Sequence, residues 1–379
     1  MSEPSMQGLS ERLGALLAER CGDSAEVLEL RPLAGGACQD NVRVDIAFGP
    51  RAHDGSESLA GKRRFVLRSD AIRSLAGSIP RRVEARVVAA AVRAGVRTPP
   101  ARFASEGLLR PGASACLLDW REGVAIGRKV VAAPELAQAR AGLLDELAAQ
   151  LAAIHTVRRD HNPGLFEGVG TLHERAVGHH ASAREPEAYG QERGHGDARF
   201  DFDPVQDALA ALELQVGACV EPHPALHWLL RWLTDHAPGT GDVTLVHGDF
   251  RVGNFLVTPE GLSAVLDWEF AHFGAPEEDL AWISVRDWRF GVLDKPVGGL
   301  GDRAAFWQAY SRHAGRLVDP VAVHWWEVMG NARWAAGAVH QAERVLSGAE
   351  VDLEFVAIGR RAAEMEWEAL RLVGRGPQG

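Results

Sequence analysis

The sequence predicts a mixed α+β chain in two lobes, a small β-rich one followed by a larger helical one. Three observations carry this. The first third alternates apolar and polar residues over short runs, as half-buried strands do. The remainder repeats apolar residues at helical spacing over long runs. Between them an apolar strand ends in the polar turn Arg121-Glu122-Gly123. The expected organisation is an N-terminal lobe over 1–118 that opens with a helix, a hinge over 119–123, and a helical lobe over 124–379. At 379 residues the chain is long enough for two such units.

Leu9, Leu13, Leu16 and Leu17 fall on one helical face near the N-terminus. Glu26–Leu33 and Asn41–Phe48 read as strands around the turn Ala34-Gly35-Gly36-Ala37. Arg64–Arg68 reads as a third strand. Pro80–Ala94 is a helix, opened by Pro80, closed by Gly95 and apolar along Val83, Val87 and Val88. Ala113–Trp120 is a further apolar run. Pro134–Thr156 is a long helix with Leu136, Leu143, Leu147, Leu151 and Ile154 on one side. Asn162–Asp203, rich in Gly, His and charge, is expected to be a variable or mobile insertion. Pro222–His236, Val321–Leu346 and Asp352–Val373 read as helices, and Gly374–Gly379 as a disordered end.

Composition narrows the function. The chain is 46% hydrophobic and 24% charged, ordinary for a globular protein. A net charge of −10 argues against a nucleic-acid partner. No run of about 20 apolar residues is present, so no membrane span is expected. The four cysteines, Cys21, Cys38, Cys116 and Cys219, are scattered without a CxxC, which fits a reducing cytoplasm. Lysine occurs only at 62, 129 and 295, so arginine must make most cationic contacts.

The chemistry concentrates in His247-Gly248-Asp249-Phe250-Arg251-Val252-Gly253-Asn254 and, after a short apolar hairpin, Asp267-Trp268-Glu269. An Asp, then an Asn five residues on, then a strand-end Asp is the layout of a phosphoryl-transfer site. Asp249 is placed to take the proton of an attacking hydroxyl. Asn254 and Asp267 offer the sparse oxygen set that suits Mg²⁺. Arg251 could meet the transferred phosphate or pair with a local carboxylate. His247 is expected to orient the loop, Glu269 to support the metal site, and Asp279 to cap a helix or anchor the loop. Gly35 and Gly36 could let backbone approach phosphates. Arg68 on the third strand and Glu84 on the next helix could form the cation–carboxylate pair that serves the nucleotide, or an ordinary ion pair. The backbone near Asp119 and Arg121 is the expected adenine edge. A turn with only local hydrogen bonds, or a hydrolase metal centre from His247, Asp249, Asp267, Glu269 and His272, are the competing readings.

These residues resemble the aminoglycoside phosphotransferase-like family, which includes choline kinase-like members. His247-Gly248-Asp249 through Asn254 is similar to its HGDxxxxN loop, and Asp267-Trp268-Glu269 to its metal-binding element. The stretches Leu245–Trp282, Val297–Arg303, Trp325–Ala335 and Ile358–Trp367 look most like a branch that includes kinase domains attached to some acyl-CoA dehydrogenases. That branch commonly carries Arg in the third-strand position, as Arg68 does. The resemblance is strong from Leu245 onward, moderate over Pro32–Ile154 and poor over Asn162–Asp242. It implies a protein-kinase-like bilobal fold, ATP or occasionally GTP as donor, Mg²⁺, and a small-molecule hydroxyl as acceptor. Acceptors in the family include aminoglycosides, macrolides, choline and homoserine, and in this branch hydroxyacyl thioesters. A nucleotide-binding module without turnover, motivated by Arg68, and an antibiotic kinase are the alternatives.

Overall fold

The computed structural model describes residues 8–33, 39–70, 75, 77–183, 202–348 and 353–377. Helix α1 (Leu9–Cys21) buries Leu9, Leu13, Leu17 and Cys21, one residue per turn, while Leu16 is only half-buried. It packs on a five-stranded sheet of β1 (Ala25–Pro32), β2 (Gln39–Phe48), β3 (Gly61–Asp70), β4 (Ala101–Glu106) and β5 (Ser114–Asp119). The spatial order is β1-β2-β3-β5-β4, with every neighbouring pair antiparallel. Val42, Val44, Ile46, Phe65 and Leu67 point to the α1 side and form the small core. By the two-residue period, Val66 and Arg68 face the other way, into a cleft. Strand β4 is the element that the sequence pattern hides. Its register breaks between Arg102 and Ser105, and Phe103 sits at φ 52°, so no clean alternation survives.

Helix α2 (Arg81–Arg93) comes from the first third of the chain, yet Val83, Val87, Val88 and Ala91 pack into the larger core. The chain leaves β5 and reaches Val124, which exchanges hydrogen bonds of 2.9 and 3.1 Å with Val257. The larger lobe then builds on α3 (Gly127–Ala132), α4 (Ala137–Ile154), α5 (Leu172–Ala183), α6 (Pro204–Gly217) and α7 (Pro224–Asp235). Two small ribbons follow: β6 (Thr244–Val246) pairs with β9 (His272–Gly274), and β7 (Phe255–Thr258) with β8 (Gly261–Val265). Helices α8 (Pro276–Trp282), α9 (Arg303–Ala314), α10 (Pro320–Leu346), α11 (Leu353–Gly359) and α12 (Ala362–Arg375) complete it.

Three expectations need correction. The supposed mobile insertion contains α5, a helix packed beside α6, and only 184–201 fall outside the described residues. The single C-terminal helix is two. Gly359 lies so close to α10 that a side chain there would run into Ala342, and the chain turns at that contact before α12 begins. Helix α12 also runs on to Arg375, into the stretch expected to be disordered.

Candidate active site

The loop from His247 to Asn254 joins β6 to β7, and local chemistry fixes its shape. Gly248 takes φ 75°, and a Cβ there would strike the carbonyl oxygen of Phe270, so the position needs glycine. The backbone N–H groups of His247 and Gly248 donate to Asp279 Oδ2 and Oδ1 at 2.7 and 3.0 Å. Asp279, fully buried in α8, therefore anchors the loop; Ala275, not Asp279, is the cap of that helix. His155 Nε2 lies 3.4 Å from the same carboxylate, and His155 Nδ1 meets Tyr310 Oη at 2.8 Å. His247 Nε2 donates to Leu266 O at 2.9 Å, and its Nδ1 accepts from the Asp249 N–H at 3.2 Å. Burial pushes its pKa below the ordinary value, despite Asp279 and Asp249 nearby. It is thus a neutral imidazole that braces the loop against Leu266, just past the end of β8.

Asp249 is held on several sides. Trp282 Nε1 donates to its Oδ1 at 2.8 Å, Asn254 Nδ2 to its Oδ2 at 2.7 Å, and Arg251 Nε to both oxygens at 3.0 and 3.1 Å. Asn254 Nδ2 also reaches the Asp249 carbonyl at 2.9 Å. The amide nitrogen is therefore spent on Asp249, and the amide oxygen is the end left for another ligand. Arg251 pairs with the local carboxylate, and its guanidinium lies 4.3 Å from the Trp288 ring centroid.

Asp267 follows β8 in a left-handed conformation, φ 64° and ψ 65°, which is uncommon for a side chain other than Gly, Asn or Asp. Its neighbour Trp268 is buried and donates to Thr98 Oγ1 at 3.0 Å, which secures the turn. Asp267 Oδ1 lies 2.8 Å from Arg68 Nη1, and the same nitrogen lies 3.2 Å from Glu84 Oε1. Burial opposes the charge of Arg68, but Glu84, Asp267 and Glu269 together hold its pKa above the usual arginine value. Arg81 pairs with Glu84 Oε2 and lies 3.5 Å from Glu269 Oε2. Burial pushes the Glu269 carboxyl up to about 7, against the pull of Arg81 and Arg68. The hydrolase constellation does not assemble. His247 is occupied as described, and His272 Nε2 is 3.0 Å from Glu278. Among the described residues no three His, Cys, Asp or Glu side chains are placed to share a metal ion.

Comparison with known proteins agrees with this geometry. The model of the phosphotransferase enzyme family, APH, matches residues 29–316. The chain belongs to this family. This family member is 46% identical over 61 residues to mouse acyl-CoA dehydrogenase family member 10, a match that covers 16% of the chain and 6% of that relative. It therefore spans only a small part of the curated relatives it matches. Its fold is shared with a provisionally assigned aminoglycoside phosphotransferase from Ralstonia eutropha JMP134, at TM-score 0.64 and 20% identity, covering 95% of this chain and 98% of the other. A thermostable mutant of aminoglycoside phosphotransferase APH(4)-Ia, bound to AMP-PNP and hygromycin B, aligns at TM-score 0.51 and 19% identity over 95% and 98% of the two chains. The fold is thus α+β and kinase-like.

In this family member, Arg68, Asp249, Arg251, Asn254, Asp267 and Glu269 all line one cleft of about 1790 Å³. Asp119, Trp120 and Arg121 line it as well. The Asp119 carboxylate is tied to Arg102 Nε at 2.6 Å and Nη2 at 2.9 Å. Gly35 and Gly36 lie outside the described residues. Glu84 and Asp279 stand behind the cleft wall, each on a residue that faces it. Sequence reasoning missed Arg81, Trp282 and Arg333. Arg333 on α10 bonds Glu278 Oε1 at 2.8 Å and the Gly248 carbonyl at 3.3 Å. Arg81 had a readable signal, since it stands three residues before Glu84 on a predicted helix. Trp282 and Arg333 had none, because only the fold brings α8 and α10 under the loop.

Proposed function

We propose that the protein transfers the γ-phosphoryl group of ATP, with Mg²⁺, to a hydroxyl of a small molecule in the cytoplasm. The observation that carries this reading is the convergence of Asp249, Asn254, Asp267 and Arg68 on one cleft. Asp249 receives the hydrogen bond of the acceptor hydroxyl and takes its proton as the oxygen attacks phosphorus. Trp282, Asn254 and Arg251 hold that carboxylate in one orientation, which is where most catalytic advantage arises in phosphoryl transfer. Arg251 can swing from Asp249 to the transferred phosphate. Arg68, kept charged by its carboxylate neighbours, meets the α and β phosphates, with Glu84 behind it. The 119–123 hinge, with Asp119 and Arg121, borders the adenine. In this reading 1–118 is the nucleotide lobe and 124–379 carries the catalytic loop and acceptor pocket.

The donor set fits Mg²⁺. Asn254 presents an amide oxygen because its nitrogen is engaged, and the Asp267 side chain is 41% exposed toward the cleft. Asn254 and Asp267 would hold the ion, which when bound neutralises phosphate charge. AMP-PNP in the related APH(4)-Ia structure supports an adenine nucleotide. For the acceptor, the far part of the cleft has a small, apolar stretch of Ala208, Ala211, Leu214, Trp334, Gly337 and Ala338, bordered by the polar side chains of Glu213, His340, Glu343 and Arg344. The apolar stretch suits an acyl chain bearing a hydroxyl. The stretch shared with acyl-CoA dehydrogenase family member 10 points the same way.

One observation favours a second reading, a nucleotide-binding module without turnover: Arg68 lies 2.8 Å from Asp267 and competes for the metal carboxylate. A phosphorylation screen of metabolite extracts and of hydroxyacyl thioesters, with Asp249→Asn as control, separates the two. Transfer that vanishes in the control supports the kinase. Binding of Mg·ATP without transfer supports the module.

A further inference from the structure

The geometry points to Arg81 as a positioning residue of the nucleotide site, which fixes Glu84 from the side opposite Arg68 and ties α2 to the loop bearing Asp267. The inference rests on the reading of this cleft as a Mg·nucleotide site. Arg81 is 3% exposed, among the most buried charges in the chain. Its Nη1 pairs with Glu84 Oε2, while Arg68 Nη1 lies 3.2 Å from Glu84 Oε1. Two guanidiniums thus hold the two oxygens of one carboxylate. Arg81 Nη2 donates to the Ile79 carbonyl at 3.0 Å and lies 3.5 Å from Glu269 Oε2. Its Nε and its backbone N–H converge on Asp70 Oδ1 at 3.4 and 2.9 Å. One planar side chain therefore touches the end of β3, its own helix α2 and the metal loop of the larger lobe.

This arrangement solves a problem that Arg68 creates. Arg68 serves Glu84 and Asp267 in this structure and must turn partly toward phosphate when nucleotide binds. A buried carboxylate left without a cation is strongly unfavourable. With Arg81 on the second oxygen, Glu84 stays paired while Arg68 is shared. The rigid fork of arginine can reach Glu84, Asp70 and Glu269 together; a lysine ammonium cannot. Arg81 touches no ligand in this scheme and acts through Glu84 and Glu269.

The test is calorimetric titration of Mg·AMP-PNP into the full-length chain, which needs no acceptor. Arg81→Gln should weaken binding about tenfold, the loss expected from removing one charged hydrogen-bonding partner. Glu84→Gln should do the same, and the double variant should be weaker than Glu84→Gln by less than about twofold, because the two act in series. Arg86→Gln, on the same helix but outside the cleft, should bind like the wild type. Arg81→Lys should bind about threefold more weakly, with an unchanged melting temperature. Wild-type affinity in Arg81→Gln, effects of Arg81 and Glu84 that multiply, or an equal loss in Arg86→Gln would each overturn the inference. If Arg81→Gln does not fold, Arg81→Lys decides, and wild-type affinity there overturns it. If the wild-type chain binds no Mg·AMP-PNP, the nucleotide reading falls and this inference with it. A wild type that binds beside an unaffected Arg81→Gln sinks the inference alone.

Discussion

At the scale of single residues, Asp249 owes its orientation to donors that come from different places. Asn254 and Arg251 belong to its own loop, whereas Trp282 arrives from α8. Trp282→Phe keeps an aromatic ring but removes the indole N–H on Asp249 Oδ1 together with the five-membered ring that carries it. Oδ1 then keeps only Arg251 Nε as a donor, while nucleotide contacts stay intact. Turnover should drop about tenfold with nucleotide affinity unchanged, the pattern of an interaction that matters in the transition state. Equal turnover in a steady-state assay on whichever acceptor the screen yields would count against this role. The comparison also shows what a sequence can carry at this scale. Asp249, Asn254 and Asp267 were legible because loop and hairpin are contiguous, so spacing stands in for distance. Arg68 and Glu84 were legible because a strand and the next helix are neighbours. Trp282, Arg333 and the His155–Tyr310 pair beneath Asp279 were not, since they arrive from distant parts of the chain by folding alone: Trp282 is 33 positions from Asp249, Arg333 is 85 from Gly248, and His155 is 124 from Asp279.

At the scale of elements, α8 holds the site through two adjacent carboxylates. Asp279 takes the amides of His247 and Gly248, and Glu278 sits between His272 of β9 and Arg333 of α10. Burial would raise the Glu278 pKa, but His272 and Arg333 outweigh it and bring the carboxyl from 4.5 down to about 2. The sign follows directly. Between those two values the unfolded chain binds a proton that the folded chain refuses, so the contribution to stability is present above pH 4.5 and is lost as pH falls toward 2. Glu278→Gln should therefore melt lower than the wild type at neutral pH, and the gap should narrow as the medium is acidified through this window. Parallel melting curves for the two proteins across that range would contradict the assignment. Element boundaries were legible where periodicity was strong, as in α1 and α4. They failed where packing intervened. Strand β4 lost its alternation to an irregular register, and the last helix broke where Gly359 meets Ala342, a contact that no local pattern announces.

At the scale of the molecule, the two cores do not divide the way the chain order does. Helix α2 contributes its apolar face to the larger core, yet Glu84 on that helix reaches Arg68 in the sheet of the smaller one. Among the described residues, the cleft is thus spanned by a charge cluster in which Asp70, Glu84, Asp267 and Glu269 pair with Arg68 and Arg81. Carboxylates outnumber guanidiniums by four to two, so a bare nucleotide polyanion should be a poor ligand and a metal-neutralised one a good ligand. Mg·ATP at a hundredfold excess over its dissociation constant should stabilise the fold by about 2.7 kcal/mol, since it binds only the folded state. For a chain of this size that corresponds to a melting shift of about 3 °C. ATP with a chelator should give a clearly smaller shift. Asp267→Asn removes one carboxylate and one oxygen donor, so it should bind the bare nucleotide better and lose most of the difference that Mg²⁺ makes. A variant whose Mg²⁺ dependence matches the wild type would place the metal elsewhere and leave Asp267 as the partner of Arg68 alone.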